Sequence, residues 1–230
     1  MKSWLEFWNL PHSIYVCDAH KREHYRQIAK DVLAVLPPST KTLLDWGCGE
    51  ALGTHDLLTR GISVFLFDKA TACQRQLAER FQGEASVKIL CDQSVREIER
   101  ESLDAVMLNS VLQYISQEEF AILLLELCRM LKRGGVLIIS DVIRPKAGLF
   151  VDVWPLLKLG YQHRFLHHVV TGLIRTFLSP YRTLRRSIGL TTYKDETLLA
   201  MLAKCGFLGR RASKNIGCNP YRTTYLAEKL

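Results

Sequence analysis

Residues 42–54, TLLDWGCGEALGT, constrain the fold of this chain more than any other stretch. Leu43 and Leu44 form a short apolar run closing on Asp45, and Gly47 and Gly49 follow at once. That is the pattern of a buried parallel strand opening into a tight turn ahead of a helix. Glycines suit such a turn because they take positive φ at little cost, and because the missing Cβ lets a ligand lie against the backbone. A strand-turn-helix corner with no ligand would look the same over these residues alone, so the neighbouring elements have to decide.

Two nucleotide-type ligands fit a turn of this kind, and spacing separates them. Counting the dinucleotide fingerprint GxGxxG from Gly47 puts Leu52 where the third glycine belongs, with Gly53 one place late. The stretch resembles instead the first motif of class I S-adenosylmethionine-dependent methyltransferases, an acidic residue followed by xGxGxG. Asp45, Gly47 and Gly49 are in place, Cys48 lies between the glycines, and Ala51 stands at the third. Alanine keeps the approach open but does not favour positive φ, so the turn is expected to differ slightly from the family's usual one.

The chain has 230 residues, 48% hydrophobic and 23% charged, enough for one α/β domain with a full core and an insertion. Glu6 and Pro11 interrupt the early apolar stretch, unlike the uninterrupted region of a signal peptide, and no uncharged run approaches the ~20 residues of a membrane span. Seven cysteines, scattered and without a CxxC pair, read as reduced thiols of a cytoplasmic protein and argue against structural zinc. No metal site is expected.

Ahead of the glycine turn, residues 1–40 form a helical arm. Trp4, Phe7 and Trp8 share a face, and a helix over 19–36 ends at Pro37 and Pro38. His20 and His24 stand four apart on that helix with Tyr25 adjacent, a pair able to bind a metal, to supply a general base, or simply to sit on a solvated surface. Tyr15 precedes the helix. In many members of the family it resembles, an aromatic residue there closes over the cofactor.

Beyond the turn the pattern alternates. A helix over 54–60 stops at Gly61, and strand 62–68 ends on Asp68, followed by Lys69. A helix over 71–81, a strand over 86–92 ending on Asp92, a short helix over 95–100 and a strand over 103–109 ending on Asn109 come next. An acid about 20 residues past the glycines, at the tip of the second strand, can accept two hydrogen bonds from a ribose diol; Asp68 holds that place, though a strand-end Asp can also cap a following helix. Ligands of open α/β sheets bind outside the carboxyl ends of the strands, so Asp45, Asp68 and Asp92 should converge on one crevice. The resemblance implies that Asp92 and Gln93 meet the adenine amino group. It also implies that Asn109 and Ser110 lie near the methyl group being transferred.

NSVLQY at 109–114 lacks the ProProTyr of enzymes that methylate adenine or glutamine amino groups, and it lacks the nucleophilic cysteine of cytosine-ring methylation. It resembles small-molecule and peptide-tailoring methyltransferases, and Tyr114 becomes a catalytic candidate beside His20, His24 and His167. Ser116 with Glu119 makes a capping box for a helix running to Lys132, Gly134 and Gly135 stop it, and VLIISDV is the fifth strand.

From 144 to 190 the alternation stops. This segment is apolar at helical spacing and interrupted by Pro155 and Pro180. Arg144, Lys146, Lys158, Arg164, Arg175, Arg182, Arg185 and Arg186 face only Asp152, a net of +7 within a chain of +8. One reading is a helical lid whose apolar face lines a pocket and whose basic face meets anionic headgroups or an acidic carrier; the other is a helical pair with a solvated basic face. Of His163, His167 and His168, the last two cannot both face a pocket from one helix. Finally, Thr192 with Asp195 starts a helix ending at Cys205, and two closing strands follow near 207–214 and 221–230; the resemblance implies that these last two form an antiparallel hairpin.

The expected fold is therefore a doubly wound, mostly parallel, seven-stranded Rossmann-like α/β sheet with an antiparallel last strand. One domain divides into an arm (1–40), a cofactor-binding core (41–143), a lid (144–190) and a closing unit (191–230). The implied function is methyl transfer from S-adenosylmethionine to a small-molecule or lipid-like acceptor, with peripheral contact to an anionic membrane as an extension. RNA methylation, suggested by the pI near 9.2, and a catalytically inactive cofactor-binding partner protein are the alternatives.

Overall fold

A computed structural model describes residues 3–10, 15–145, 150–177 and 180–230. In chain order they form α1 (Trp4–Trp8), α2 (Asp18–Val35), β1 (Thr42–Trp46), α3 (Thr54–Leu58), β2 (Ser63–Phe67), α4 (Thr71–Arg80), β3 (Val87–Leu90) and α5 (Asp92–Arg96). There follow β4 (Leu103–Asn109), α6 (Gln117–Met130), β5 (Leu131–Val142), α7 (Phe150–Gln162), α8 (Leu166–Phe177), α9 (Pro180–Ser187), α10 (Asp195–Lys204), β6 (Phe207–Arg211) and β7 (Thr223–Lys229). The sheet order is β3-β2-β1-β4-β5-β7-β6, with β7 antiparallel to both neighbours and the remaining pairings parallel. Because β1 pairs with β2 on one side and β4 on the other, their crossovers diverge and leave a crevice at the carboxyl ends of β1 and β4.

The central strands β1 and β4 are buried on both faces, which is why they read as unbroken apolar runs, whereas the edge strands β3 and β6 are partly exposed. Leu44, Val106, Leu108, Leu137 and Ile139 pack with Phe120, Leu124 and Leu127 of α6 and with Leu198 and Leu202 of α10. Their alternates Leu43, Met107 and Ile138 pack on the other face with Ile28 and Val32 of α2, Leu57 of α3 and Leu77 of α4. Each such side chain contributes about 1.5–3 kcal/mol by leaving water.

Several boundaries differ from the sequence reading. The α5 helix begins at Asp92, not Val95, because Cys91 and Ser94 close a capping box in which Cys91 N–H donates to Ser94 Oγ at 2.8 Å. Asp92 therefore sits in a helical first turn instead of on a strand end. The Ser116–Glu119 capping box is present at 3.1 and 2.7 Å, but α6 ends at Met130. Leu131 already pairs with Leu103, and residues 132–135 bulge out before Val136 pairs with Ala105. Thr192 does not cap α10: the helix starts at Asp195, whose carboxylate is taken by the Tyr225 hydroxyl at 2.6 Å and by Arg211 at 3.1 Å.

Pro155 does not break the insertion, since it lies inside α7. A proline there leaves the carbonyl four residues earlier without its donor, and that carbonyl, Val151 O, accepts instead from Asn219 Nδ2 at 3.1 Å. Pro180 stands at the first position of α9, where a missing N–H costs nothing. The insertion is fastened to the arm: a Cβ on Gly172 of α8 would meet Val16, and the Trp4 indole N–H donates to Gly189 O at 3.2 Å. Trp4 and Phe7 are buried with Leu184, so α1 packs on α9, while α2 packs beside the sheet. Lys146 and the side chains of Arg175 and Arg182 lie outside what the structure describes.

Candidate functional site

The carboxyl ends of β1, β2 and β4, the arm and the insertion enclose one cavity of about 1960 Å³. Ligand pockets of ~300–1,000 Å³ accommodate drug-sized molecules, so this one has room for a nucleoside cofactor and a second molecule. Of the sequence-derived site residues, Tyr15, Asp45, Gly47, Cys48, Gly49, Asp68, Lys69, Asp92, Asn109, Ser110, His20, His24 and Tyr114 line it. Gln93 does not; its amide donates to Glu97 Oε1 at 2.9 Å on the exposed side of α5. His167 also lies outside, exposed, its ring 3.9 Å from that of His168, because the buried face of α8 is the one bearing Val169 and Gly172.

The glycine turn is held in a fixed shape. Gly47 N–H donates to Phe67 O at 2.7 Å with φ +80°, and Gly49 has φ +55°. Ala51 takes φ +50° as well, so the turn keeps its left-handed course despite the alanine, at a cost of about 1–2 kcal/mol. Asp68 is the brace: its Oδ2 accepts from Gly49 N–H at 2.9 Å and its Oδ1 from Ala70 N–H at 2.8 Å. Burial nevertheless raises the Asp68 pKa, outweighing those two hydrogen bonds, which lower it. Asp45 is buried and, among the described residues, has no hydrogen-bond partner; burial first, and the neighbouring Asp68 second, push its carboxyl up to about 7. An uncompensated carboxyl opening on a cavity beside two cradle glycines fits a ligand carrying positive charge.

Two features were not singled out from the sequence. The first is Tyr25, whose hydroxyl accepts from Glu50 N–H at 3.2 Å and donates to the Tyr15 hydroxyl. Lys21 pairs with Glu50 at 2.9 Å, so α2 is latched to the glycine turn by a hydroxyl and an ion pair. The second is Asp141, at the end of β5. Ser110 Oγ donates to Asp141 Oδ2 at 2.7 Å, and both residues have positive φ, +58° and +59°. Two non-glycine residues in that region at adjacent strand ends store strain. The rule that selected Asp45 and Asp68 as strand-end acids also selects Asp141, but VLIISDV continues one residue beyond it and hides the position.

Tyr15, His20, His24 and Tyr25 form an aromatic wall, with ring centroids 5.4 Å from Tyr15 to His20 and 5.5 Å from Tyr15 to His24. Burial depresses both imidazoles to about 4, so they are neutral at pH 7. Val153, Leu156 and Leu159 of α7 and Leu173 of α8 supply apolar lining from the insertion. Among the described residues there is no group of three or more His, Cys, Asp or Glu able to hold a metal, and no helix is long and apolar enough to cross a membrane.

Residues 44–139 match the sequence model of a family described as a methyltransferase domain. Over 133 residues, 58% of the chain, it is 29% identical to a carboxy-S-adenosyl-L-methionine synthase of Histophilus somni (strain 129Pt); the match spans about half, 52%, of that relative. Among solved structures it resembles the magnesium protoporphyrin IX methyltransferase of Synechocystis PCC 6803 with its bound cofactor (TM-score 0.59, 15% identity, 99% of this chain and 89% of that one). It also resembles an amino pentose methyltransferase of Micromonospora echinaspora (TM-score 0.62, 16% identity, 96% and 99%). At these identities the structural likeness establishes the fold.

Proposed function

We propose that the chain transfers a methyl group from S-adenosylmethionine to a small-molecule or lipid-like acceptor: residues 44–139 match the sequence model of a methyltransferase domain, and the fold resembles that of solved methyltransferases. The observation that carries this reading is the single cavity joining the glycine turn to the apolar wall of the insertion. In it, Gly47 and Gly49 receive the cofactor's chain, Asp45 compensates positive charge, and Asp68 faces the ribose with the carboxylate lone pairs left by its two backbone bonds. Lys69 and Asp92 border the base. Asn109 and Ser110 lie on the acceptor side.

The cofactor supplies an already activated methyl sulfonium. The protein's task is then alignment and exclusion of water. Tyr15 and the latch through Tyr25 close the cofactor side, and the insertion acts as a lid over the acceptor side. Calorimetry with S-adenosylmethionine and NADH tests the reading: binding of the first and not the second is expected, and the reverse ends it.

The lid's outer surface extends the proposal to where the acceptor is found. Trp154, Lys158 and Tyr161 form one exposed stripe of α7 at i, i+4 and i+7, and Leu166 and Val170 are exposed on α8, with Arg164 between the helices and Arg186 on α9. Interfacial aromatics interleaved with cations suit peripheral contact with an anionic membrane, each cation adding about 1 kcal/mol before screening. Co-sedimentation with anionic vesicles should be lost at 1 M salt, where the Debye length is ~3 Å, and in a Lys158→Ser/Arg164→Ser/Arg186→Ser variant. Equal, negligible binding to anionic and neutral vesicles removes this extension.

A further inference from the structure

Of the two described histidines lining the cavity, His20 and His24, the second stands apart. Its imidazole is enclosed by Tyr15 at 5.5 Å, His20 at 6.3 Å and Tyr25 at 5.8 Å, and it has no hydrogen-bond partner among the described residues. The ring is half-buried in the cavity wall, so its unpaired nitrogen is open to a ligand that donates to it. His20, its neighbour on the same face, is committed differently: its Nδ1 accepts the Val16 N–H at 3.4 Å, so its proton is on Nε2 and it can only donate into the cavity. His24 retains an acceptor nitrogen. His24 shares this cavity with the acceptor-side residues Asn109, Ser110 and Asp141, the Ser110 hydroxyl being bonded to Asp141 at 2.7 Å.

Resting on the methyltransferase reading, we infer that His24 is the catalytic base and that the acceptor is an apolar molecule presenting a neutral hydroxyl. An oxygen lone pair of that hydroxyl forms the new carbon–oxygen bond as the carbon–sulfur bond breaks and its electron pair returns to sulfur. The hydroxyl proton passes to the free nitrogen of His24, leaving an imidazolium that releases it to water when the site opens. Other acceptor chemistries suit this ring less well. A carboxylate needs no base, and a neutral imidazole of low basicity does not take a proton from an alkylammonium, whose reference pKa is about 10. A hydroxyl under methylation, by contrast, becomes strongly acidic as the bond forms, and a weak base suffices.

The test uses the full chain with para-octylphenol, octylamine and octanoate as probes, and para-octylanisole as a probe without the O–H. In equilibrium binding, wild type should prefer the phenol over the anisole by about tenfold, and His24→Phe should abolish that preference. With S-adenosylmethionine present, transfer should go to the phenol. His24→Ala should lower the rate by about 100-fold or more, with partial recovery in free imidazole and unchanged cofactor affinity. Equal rates in wild type and His24→Ala overturn the assignment. So does preferred transfer to octylamine or octanoate, an undiminished phenol preference in His24→Phe, or no transfer to any probe by protein that binds S-adenosylmethionine. Failure to bind S-adenosylmethionine instead defeats the underlying methyltransferase reading.

Discussion

Substituting Gly47 by alanine should destabilise the protein by about 2–5 kcal/mol, from two separable causes. Gly47 has φ +80°, a region that costs an L-residue about 1–2 kcal/mol. A Cβ built there would also stand 2.5 Å from Val111 Cγ2, so Val111 or the turn must move, an overpacking of about 1–3 kcal/mol. Gly61 provides the control, because it has φ +71° but nothing within 4 Å of its Cβ position, and Gly61→Ala should show the backbone cost alone. Urea unfolding of the protein without cofactor measures both. In a double-mutant cycle, Val111→Ala should recover about 1–3 kcal/mol of the Gly47→Ala loss and nothing of the Gly61→Ala loss. If Gly47→Ala costs no more than Gly61→Ala, or if the cycle shows no coupling, then Val111 does not set the depth of the cradle.

Asp45 should make stability fall as pH rises. Its carboxyl stays protonated in the folded protein up to about 7, while the unfolded chain releases that proton near 4, so the folded state holds more protons across the window and loses stability from about pH 4 to 7. Asp45→Asn should flatten that slope in urea midpoints recorded without cofactor; an unchanged slope would mean that the carboxyl is solvated. Asn219→Ala should cost about 1–2 kcal/mol by orphaning the Val151 carbonyl, and the cost should shrink in a Pro155→Ala background that restores the helical donor; additivity of the two would refute the exchange. Tyr25→Phe should cost about 1–2 kcal/mol by removing the acceptor for Glu50 N–H and the donor to Tyr15. Comparable denaturation midpoints for this variant and wild type would show the latch to be dispensable.

The glycine turn, the acids at the ends of β1 and β2, the sheet and the α6 cap were legible in the amino-acid order because each rests on a local rule. Glycine reaches positive φ, parallel strands buried on both faces are runs such as LLD and SVFLF, and Ser116 and Glu119 are three residues apart. The partners that complete the site obey no such rule. Val16 meets Gly172, Trp4 reaches Gly189, and Asn219 replaces the donor that Pro155 lacks, contacts between residues far apart in the chain with no periodicity to announce them. The same separation explains the misplaced start of α10: Asp195 reads as a cap partner for Thr192 until Tyr225, 30 residues later, takes its carboxylate. His20 and His24 share a helix face in any sequence reading. Only the packing of α2 against the cavity made them neutral, and only the Val16 N–H, which takes the acceptor nitrogen of His20, left His24 as the ring with one to offer. Burial and charge compensation depend on everything within a few ångströms, and in a chain folded this way most of that neighbourhood comes from distant residues.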